Sequence, residues 1–257
     1  MTQPAESVRG DGRGPGTVRP VEIRAAFLRH PEGSASIRWG NTWVICTATV
    51  EDRLPPFLRG RSQGWITAEY SMLPRSVGSR TPRGRPSGRD MEIQRLIGRS
   101  LRAVTDLNGL PMHTITVDCD VIDADGGTRS AAVTGAFVAF CEACRWMVRD
   151  GRIRRIPIRR QVAAISTGLV HGQMLCDLSY AEDSEASVDM NVVMTDDGGL
   201  VGIHAAAETE PMPREALDSL LQIAQDGLSV LFAAQREALG LNPRGPFDPN
   251  LLQPRLA

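Results

Sequence analysis

The chain has 257 residues, 42% of them apolar and 23% charged, which is enough to bury a core without staples and too ordinary for collagen, coiled coil or wholesale disorder. All 29 basic residues are arginine, which excludes Schiff-base and pyridoxal chemistry and lysine-based phosphate clamps; any phosphate must be held by guanidinium, which binds it bidentately and cannot act as a base. The net charge of −1 is unevenly spread, with local excesses of +8 over residues 53–102, +6 over 145–160 and −10 over 177–218, a pattern that suits either a polyanion-binding surface beside a cation-holding acidic patch or internal salt bridges formed on folding.

Residues 1–18 and 241–257 are rich in Gly, Pro and Asn without periodicity and read as flexible tails around one domain over 19–240. Strands are expected over Ala35–Trp39 and Trp43–Val50, joined by a Gly40-Asn41 turn, and over Gly64–Tyr70. The Arg/Pro/Gly/Ser stretch 75–89 reads as a mobile loop. Met91–Thr105 places Ile93, Leu96, Ile97, Leu101 and Val104 on one helical face with arginines opposite. Thr114–Ile122 alternates as a strand, with Thr116, Asp118 and Asp120 on one face. Ser130–Val148 is a strongly apolar helix. Val162–Leu169 and Met174–Tyr180 flank a turn at His171-Gly172; Val188–Thr195 and Leu200–His204 flank another at Asp196–Gly199. Arg214–Leu239 is a long amphipathic helix. Both β regions open with a hairpin whose second strand carries an inward cysteine (Cys46, Cys176), a hint of duplication in an α+β chain.

The five cysteines (46, 119, 141, 144 and 176) are odd in number and irregular in spacing. No apolar leader opens the chain and no run reaches the roughly 18–20 apolar residues of a membrane span. A reducing, cytoplasmic setting is the expectation. Cys141 and Cys144 form a C-x-x-C within an apolar helix, without a second pair or a nearby histidine, and read as core. The histidines (30, 113, 171 and 204) are scattered.

The strongest local signal is Asp125-Gly126-Gly127-Thr128-Arg129 between a strand and a helix. Glycines admit a ligand to the backbone, a helix start exposes free N–H groups, Thr128 adds a hydroxyl and Arg129 a fork of donors. That describes a phosphate site; a plain turn with a surface arginine has the same spacing. Arg89, ahead of the Met91 helix, sits where a cation is unfavourable unless an anion is bound. Asp183 and Asp189 form the first candidate pair for Mg²⁺, against a merely solvated acidic loop. Asp118 and Asp120 come second, with Asp123 and Asp125 as further competitors. Phe57, Trp65 and Tyr70 lie in the first basic block, where they could stack on bases or fill the core. No side chain is an evident covalent nucleophile, so the attacking group could be phosphate itself, giving phosphorolysis of a polynucleotide.

From Arg19-Pro20 to Leu239 the sequence resembles the ribonuclease PH family. The resemblance is carried by Gly64-Trp-Ile-Thr-Ala-Glu-Tyr70, Met72-Leu-Pro-Arg75, Met91-Glu-Ile-Gln-Arg-Leu-Ile97, Asp118-Cys-Asp-Val121, Ala124-Asp-Gly-Gly-Thr-Arg129, Cys176-Asp-Leu178, Glu182-Asp183 and Asp189-Met-Asn-Val-Val-Met194. It implies a fold of duplicated βαβα units, with mixed sheets and helices packed between and outside them. It implies a phosphorolytic 3′→5′ exoribonuclease that trims tRNA precursors, and processes other RNA 3′ ends such as those of rRNA, releasing nucleoside diphosphates; the reverse reaction adds nucleotides. Arg89, Gly127, Thr128 and Arg129 match the family's phosphate residues, and Asp183 and Asp189 match its Mg²⁺-binding, catalysis-supporting aspartates. Arg75, Arg80 and Arg83 would face tRNA on a homohexameric ring, a trimer of dimers. The alternatives are a catalytically silent RNA-binding ring subunit and a hydrolytic Mg²⁺ nuclease. Where the family usually has Gln-Gly-Thr-Ala-Glu, this chain has His204-Ala-Ala-Ala-Glu208, and Thr209 replaces a usual Gly. These departures fall on the acidic side of the expected pocket.

Overall fold

The computed structural model describes residues 9–58, 60–208 and 210–253. Residues 1–8 and 254–257 of the expected tails, Arg59 of the basic block and the Thr209 departure lie outside the described residues.

Five strands, β1 (Val21–Ala25), β2 (Gly33–Trp39), β3 (Thr42–Glu51), β4 (Trp65–Met72) and β5 (Thr114–Asp123), form a mixed sheet in the order β1-β2-β3-β5-β4. The β4–β5 pair is parallel, as it must be when the helix α1 (Gly88–Ala103) carries the chain back between them. A second, antiparallel sheet has the order β7-β6-β8-β9, from β6 (Val162–Val170), β7 (Gln173–Cys176), β8 (Ala186–Thr195) and β9 (Leu200–Ala207). Helix α2 (Thr128–Arg149) packs against strands of both sheets, the short α3 (Tyr180–Glu185) precedes β8, and α4 (Arg214–Ala238) packs on the second sheet. The architecture is α+β, a mixed sheet and an antiparallel sheet with helices packed on them, and β3 of the first sheet and β7 of the second each bury a cysteine.

Local sequence explains these elements. In the first hairpin Gly40 turns at φ +57°, while Ala35, Ile37, Trp39, Val44, Cys46 and Ala48 all point into the core. Ser87 caps α1 in a capping box with Asp90, and Ile93, Ile97 and Leu101 form its buried stripe. Helix α2 is apolar almost all round, as a helix buried between layers must be. By length and composition it could cross a membrane, but here it is the central core helix. A Cβ at Gly135 would stand 2.9 Å from Ile37 Cγ2 and 3.0 Å from Cys46 Sγ, so only glycine lets α2 lie this close to the hairpin. Cys141 and Cys144 are fully buried in it, and burial pushes both thiol pKa values up.

Three expectations are corrected. The short edge strand β1, with little apolar alternation, carried too weak a pattern to be read. The second strand of the second hairpin ends at Cys176 instead of Tyr180, because Asp177 takes φ +56° and leaves the ladder, after which Ser179 caps α3 with Glu182. Asp183 therefore sits on a helix and not on a loop. Residues 9–18 and 241–253, though largely exposed, are anchored to the fold at particular side chains rather than loose. Arg9 is 3% exposed and donates to Glu182 and to the carbonyls of Cys176 and Asp177. At the other end Phe247 meets Phe137 edge-on, Leu252 is buried, and Arg145 donates to the Leu239 and Leu252 carbonyls.

Candidate active site

The phosphate-type turn lies where β5 runs into α2. Gly126 and Gly127 both adopt positive φ (+73° and +68°), the left-handed region that glycine enters without strain. Gly127 is the helix N-cap and offers no side chain to close the first turn. The first-turn amides of α2 have no carbonyl partner within the helix and remain available to an anion. Thr128 Oγ1 accepts a 2.9 Å hydrogen bond from the Tyr70 hydroxyl, which leaves the threonine proton free to donate to a ligand. Burial is the main reason the Tyr70 phenol pKa is raised, so Tyr70 stays a donor.

The turn is held from behind. Thr42 Oγ1 accepts from the Asp125 amide at 3.0 Å and donates to the Gly126 carbonyl at 2.7 Å. Arg19 donates from Nη1 to the Asp125 carbonyl. Arg19 itself is pinned to Asp177, with its backbone N at 2.7 Å, Nε at 3.0 Å and Nη2 at 2.6 Å from carboxylate oxygens, and Trp39 Nε1 adds a fourth donor at 3.0 Å. Burial works against the Arg19 charge, but hydrogen bonding and attraction from Asp177 outweigh it and raise the guanidinium pKa. A Cβ on Gly126 would lie 2.7 Å from Leu178 O, Ser179 C and Tyr180 N, so the turn rests directly on the segment that leads into α3.

That contact brings the carboxylates to the arginines. Asp183 projects from α3 and Asp189 from β8. Loss of solvent is the first cause of the raised pKa at both, while Arg129 and Arg89 pull both back down. Asp183 further raises Asp189, which shows the two acids to be electrostatic neighbours. Period-two alternation puts Asn191 on the same face of β8 as Asp189, and Asn191 Nδ2 donates to both Asp189 oxygens at 3.1 and 3.3 Å. Asp183 is exposed and Asp189 half-buried; two neighbouring carboxylates are hard oxygen donors of the kind that suits Mg²⁺, with water and substrate oxygens completing the shell. Among the described residues no group of three or more His, Cys, Asp or Glu side chains forms a ready-made metal cluster.

Thus Arg89 and Arg129, the latter on the Gly127-Thr128 turn, lie within electrostatic reach of Asp183 and Asp189. Asp118 and Asp120 do not join them. They line an adjoining 880 Å³ cleft with Glu69, Arg83 and Arg85, which shares Arg89 with the site, and burial raises both their pKa values. Arg75, Arg80 and Arg83 are exposed, and only Arg83 of the three lines this cleft. The two readings of the charge blocks divide along the chain. In the block 145–160, Arg145, Arg152, Arg159 and Arg160 are in ion pairs. Among the described residues Arg75, Arg80, Arg83, Arg85, Arg89, Arg95 and Arg99 are in none, which leaves that stretch free for a polyanion. Trp65 lies under the Arg102 guanidinium at 4.4 Å and against Phe57, and Tyr70 is buried, so Trp65 and Tyr70 serve structure. Arg19, Asp177 and Asn191 are parts of the site that the sequence reading does not single out, and Tyr70, read as a base-stacking or core residue, instead donates to Thr128. Only the short run Cys176-Asp-Leu178 pointed toward Asp177.

The departure from the expected Gln-Gly-Thr pattern lies against the acidic pair. Ala206 stands opposite Asp189 in the β8–β9 ladder and His204 opposite Asn191. His204 also helps to lower the Asp189 pKa.

A family model described as the 3′ exoribonuclease family, domain 1, matches residues 17–145, and its companion for domain 2 matches residues 160–227. Among solved structures the chain is similar to rice (Oryza sativa) Rrp46, with a TM-score of 0.73 and 20% identity over 89% of this chain and 98% of that one. It is similar to a chain of an Archaeoglobus fulgidus exosome with RNA bound to the active site, with a TM-score of 0.74 and 22% identity over 85% and 89% of the two chains. A chain of an archaeal exosome core matches with a TM-score of 0.70 and 20% identity over 90% of each. At these identities the structural likeness speaks for the fold.

Proposed function

The chain belongs to the 3′ exoribonuclease (RNase PH) family, and on that premise we propose that it is a phosphorolytic 3′→5′ exoribonuclease of the ribonuclease PH type, trimming tRNA precursors and other RNA 3′ ends with inorganic phosphate. The observation that carries this reading is the meeting of Arg89 and Arg129 with Asp183 and Asp189 at an uncapped, glycine-opened helix start.

Orthophosphate is the nucleophile. The α2 amides, the Thr128 hydroxyl and the two guanidinium groups hold it and offset its charge. One of its oxygens attacks the phosphorus of the last RNA linkage as the bond from that phosphorus to the neighbouring O3′ breaks. The proton carried in by hydrogen phosphate ends on that O3′, and the products are a nucleoside 5′-diphosphate and an RNA one nucleotide shorter. The protein contributes positioning and preorganised charge, so no side chain need form a covalent intermediate. Asp183 and Asp189 would hold Mg²⁺, which supplies neutralisation of the phosphoryl oxygens when bound. Asn191 keeps the Asp189 carboxylate oriented. In reverse, a nucleoside diphosphate adds to the RNA end and phosphate leaves.

The unpaired arginines over 75–99, among them Arg75, Arg80 and Arg83, support a path for the RNA backbone. A homohexameric ring, a trimer of dimers, is proposed from the family likeness, and a light-scattering mass tests it. A cytoplasmic setting is proposed from the five buried cysteines, all free.

The deciding assay incubates 3′-tailed RNA and Mg²⁺ with and without inorganic phosphate. Release of nucleoside diphosphates only with phosphate is the expected result. Monophosphate release without phosphate would assign hydrolysis, and RNA binding without release would assign a silent ring subunit; either overturns the reading.

A further inference from the structure

Helix α3 carries Asp183 but has little of its own to hold it in place. Six residues are too few for a helix to persist by itself, because the first turn fixes several residues for a single hydrogen bond. Tyr180, Ala181, Asp183, Ser184 and Glu185 are all exposed, so no apolar face seats the helix. Glu182 is the exception. Its carboxylate accepts from the Ser179 amide at 2.8 Å in the capping box, and it is also gripped from the other end of the sequence. Arg9 Nε donates to Glu182 Oε1 at 2.7 Å and Nη2 donates to Oε2 at 2.9 Å, a two-point fork. Further donors of the same guanidinium reach the Cys176 carbonyl at 3.0 Å and the Asp177 carbonyl at 2.8 Å, where the chain leaves β7. The side chains of Arg9 and Glu182 are 1% and 11% exposed. Arg13 touches both ends of the same segment, 3.2 Å from Asp177 Oδ2 and 3.6 Å from Glu182 Oε2. The Pro15 carbonyl accepts from the Cys176 amide. Residues 9–15 therefore strap the end of β7 to α3.

We propose that Arg9 is a positioning residue for the acidic pair, fixing through Glu182 the roll of α3 and with it the direction in which Asp183 meets Asp189; this deepens the reading that Asp183 and Asp189 hold Mg²⁺, and rests on it. Successive residues of a helix stand about 100° apart, so a Glu182 held against the strap leaves Asp183 one direction to face. A planar fork sets orientation as well as distance, which a single point of charge does not. Arg9 acts at one remove and belongs to the support of the site, not to its reacting groups. Hydrogen-bonded supports behind metal-binding side chains typically change metal affinity or activity by about 10–100-fold when removed. A strap that served stability alone would change the melting temperature and leave metal affinity where it was.

Equilibrium dialysis of the full chain against Mg²⁺, without RNA or phosphate, tests this. The Mg²⁺ that Asp189→Asn fails to bind defines the site. Arg9→Gln should weaken that Mg²⁺ about tenfold. Hydrogen exchange at the Asp183 amide, which donates to the Ser179 carbonyl, should quicken in the same variant. Arg9→Lys should weaken Mg²⁺ by less, because an ammonium keeps the charge and loses the fork; it decides the matter if Arg9→Gln does not fold. Arg145→Gln, which releases the C-terminal segment instead, should keep the parent's Mg²⁺ affinity. Parent affinity in both Arg9 variants overturns the positioning role while the Mg²⁺ reading stands. An equal weakening in Arg145→Gln reduces the Arg9 effect to general loosening and overturns the role as well. If Asp189→Asn binds as much Mg²⁺ as the parent, the Mg²⁺ reading falls and the positioning role falls with it.

Discussion

Replacing Asp177 by Ala removes the carboxylate on which the phosphate turn is built. The side chain is about 1% exposed and accepts from the Arg19 backbone, Nε and Nη2, and from Trp39 Nε1. Its loss strands a guanidinium that is itself 5% exposed. Breaking a buried pair from one side costs about 3–5 kcal/mol, far more than the net worth of the intact pair, because the remaining buried charge keeps, among the described residues, only the Asp125 and Leu178 carbonyls and a 3.9 Å approach to the Asp125 carboxylate. For a chain of this size about 1 kcal/mol moves the melting temperature by roughly 3 °C, so a fall of about 10–15 °C is expected. Trp39→Phe removes one bond to a charged acceptor and should cost about 2 kcal/mol. Urea unfolding and calorimetry supply both values, and the phosphate KM of the surviving folded fraction supplies a third. That KM should rise, since Arg19 no longer anchors the Asp125 carbonyl. A loss below about 1 kcal/mol for Asp177→Ala would show that the pair does not bear on the turn and would refute the reasoning.

Arg129→Ala should lower turnover by about 10²–10³-fold through the phosphate step, as loss of a donor to developing charge does, while RNA affinity by filter binding changes little; parallel loss of both would remove Arg129 from the phosphate site. Gly126→Ala should cost about 1–3 kcal/mol in urea melts, since alanine would have to adopt φ +73° with its Cβ 2.7 Å from Leu178 O; an unchanged melt would contradict the close contact. Asp189 has a raised pKa, so between the ordinary carboxylate pKa and its own folded value the native state binds more protons than the unfolded one, and stability falls as pH rises through that window. Asp189→Asn should reduce that fall, to which the raised pKa values of Asp183, Asp118 and Asp120 also contribute, and should melt above the parent at neutral pH in EDTA; Mg²⁺ should raise the melting temperature of the parent but not of the variant, and an equal Mg²⁺ shift in both would exclude Asp189 as a ligand. Arg83→Ala should reduce the slope of log K for RNA against log salt by about 1, and an unchanged slope would place Arg83 off the RNA path.

Where one periodicity dominated, the elements could be read from sequence. Ile93, Ile97 and Leu101 of α1 and the alternation of β3 and β5 need only their own segment to be interpreted. The Gly126-Gly127-Thr128-Arg129 turn was legible for the same reason, since glycines, hydroxyl and guanidinium adjoin in sequence. What escaped depends on partners far along the chain. Arg9 looks like a tail residue, and Arg19 like a plain domain-edge residue, until Glu182 and Asp177 are beside them. Asp177 has no local reason to leave the β7 ladder; the donors that hold it there come from Arg19 and Trp39. Net charge over a segment likewise could not separate arginines paired across the fold, such as Arg152 with Asp52, from the free ones at 75–99.

Arg19 and Asp177 are 158 positions apart. A nascent chain that has already completed its first sheet thus still lacks the prop beneath its anion cradle, and the cradle can set only after most of the second half has emerged. Such long-range closure is slow compared with helix or hairpin formation. During translation the unfinished protein would carry its arginines exposed while its phosphate cradle is still unformed, so it could touch RNA before it could shorten it.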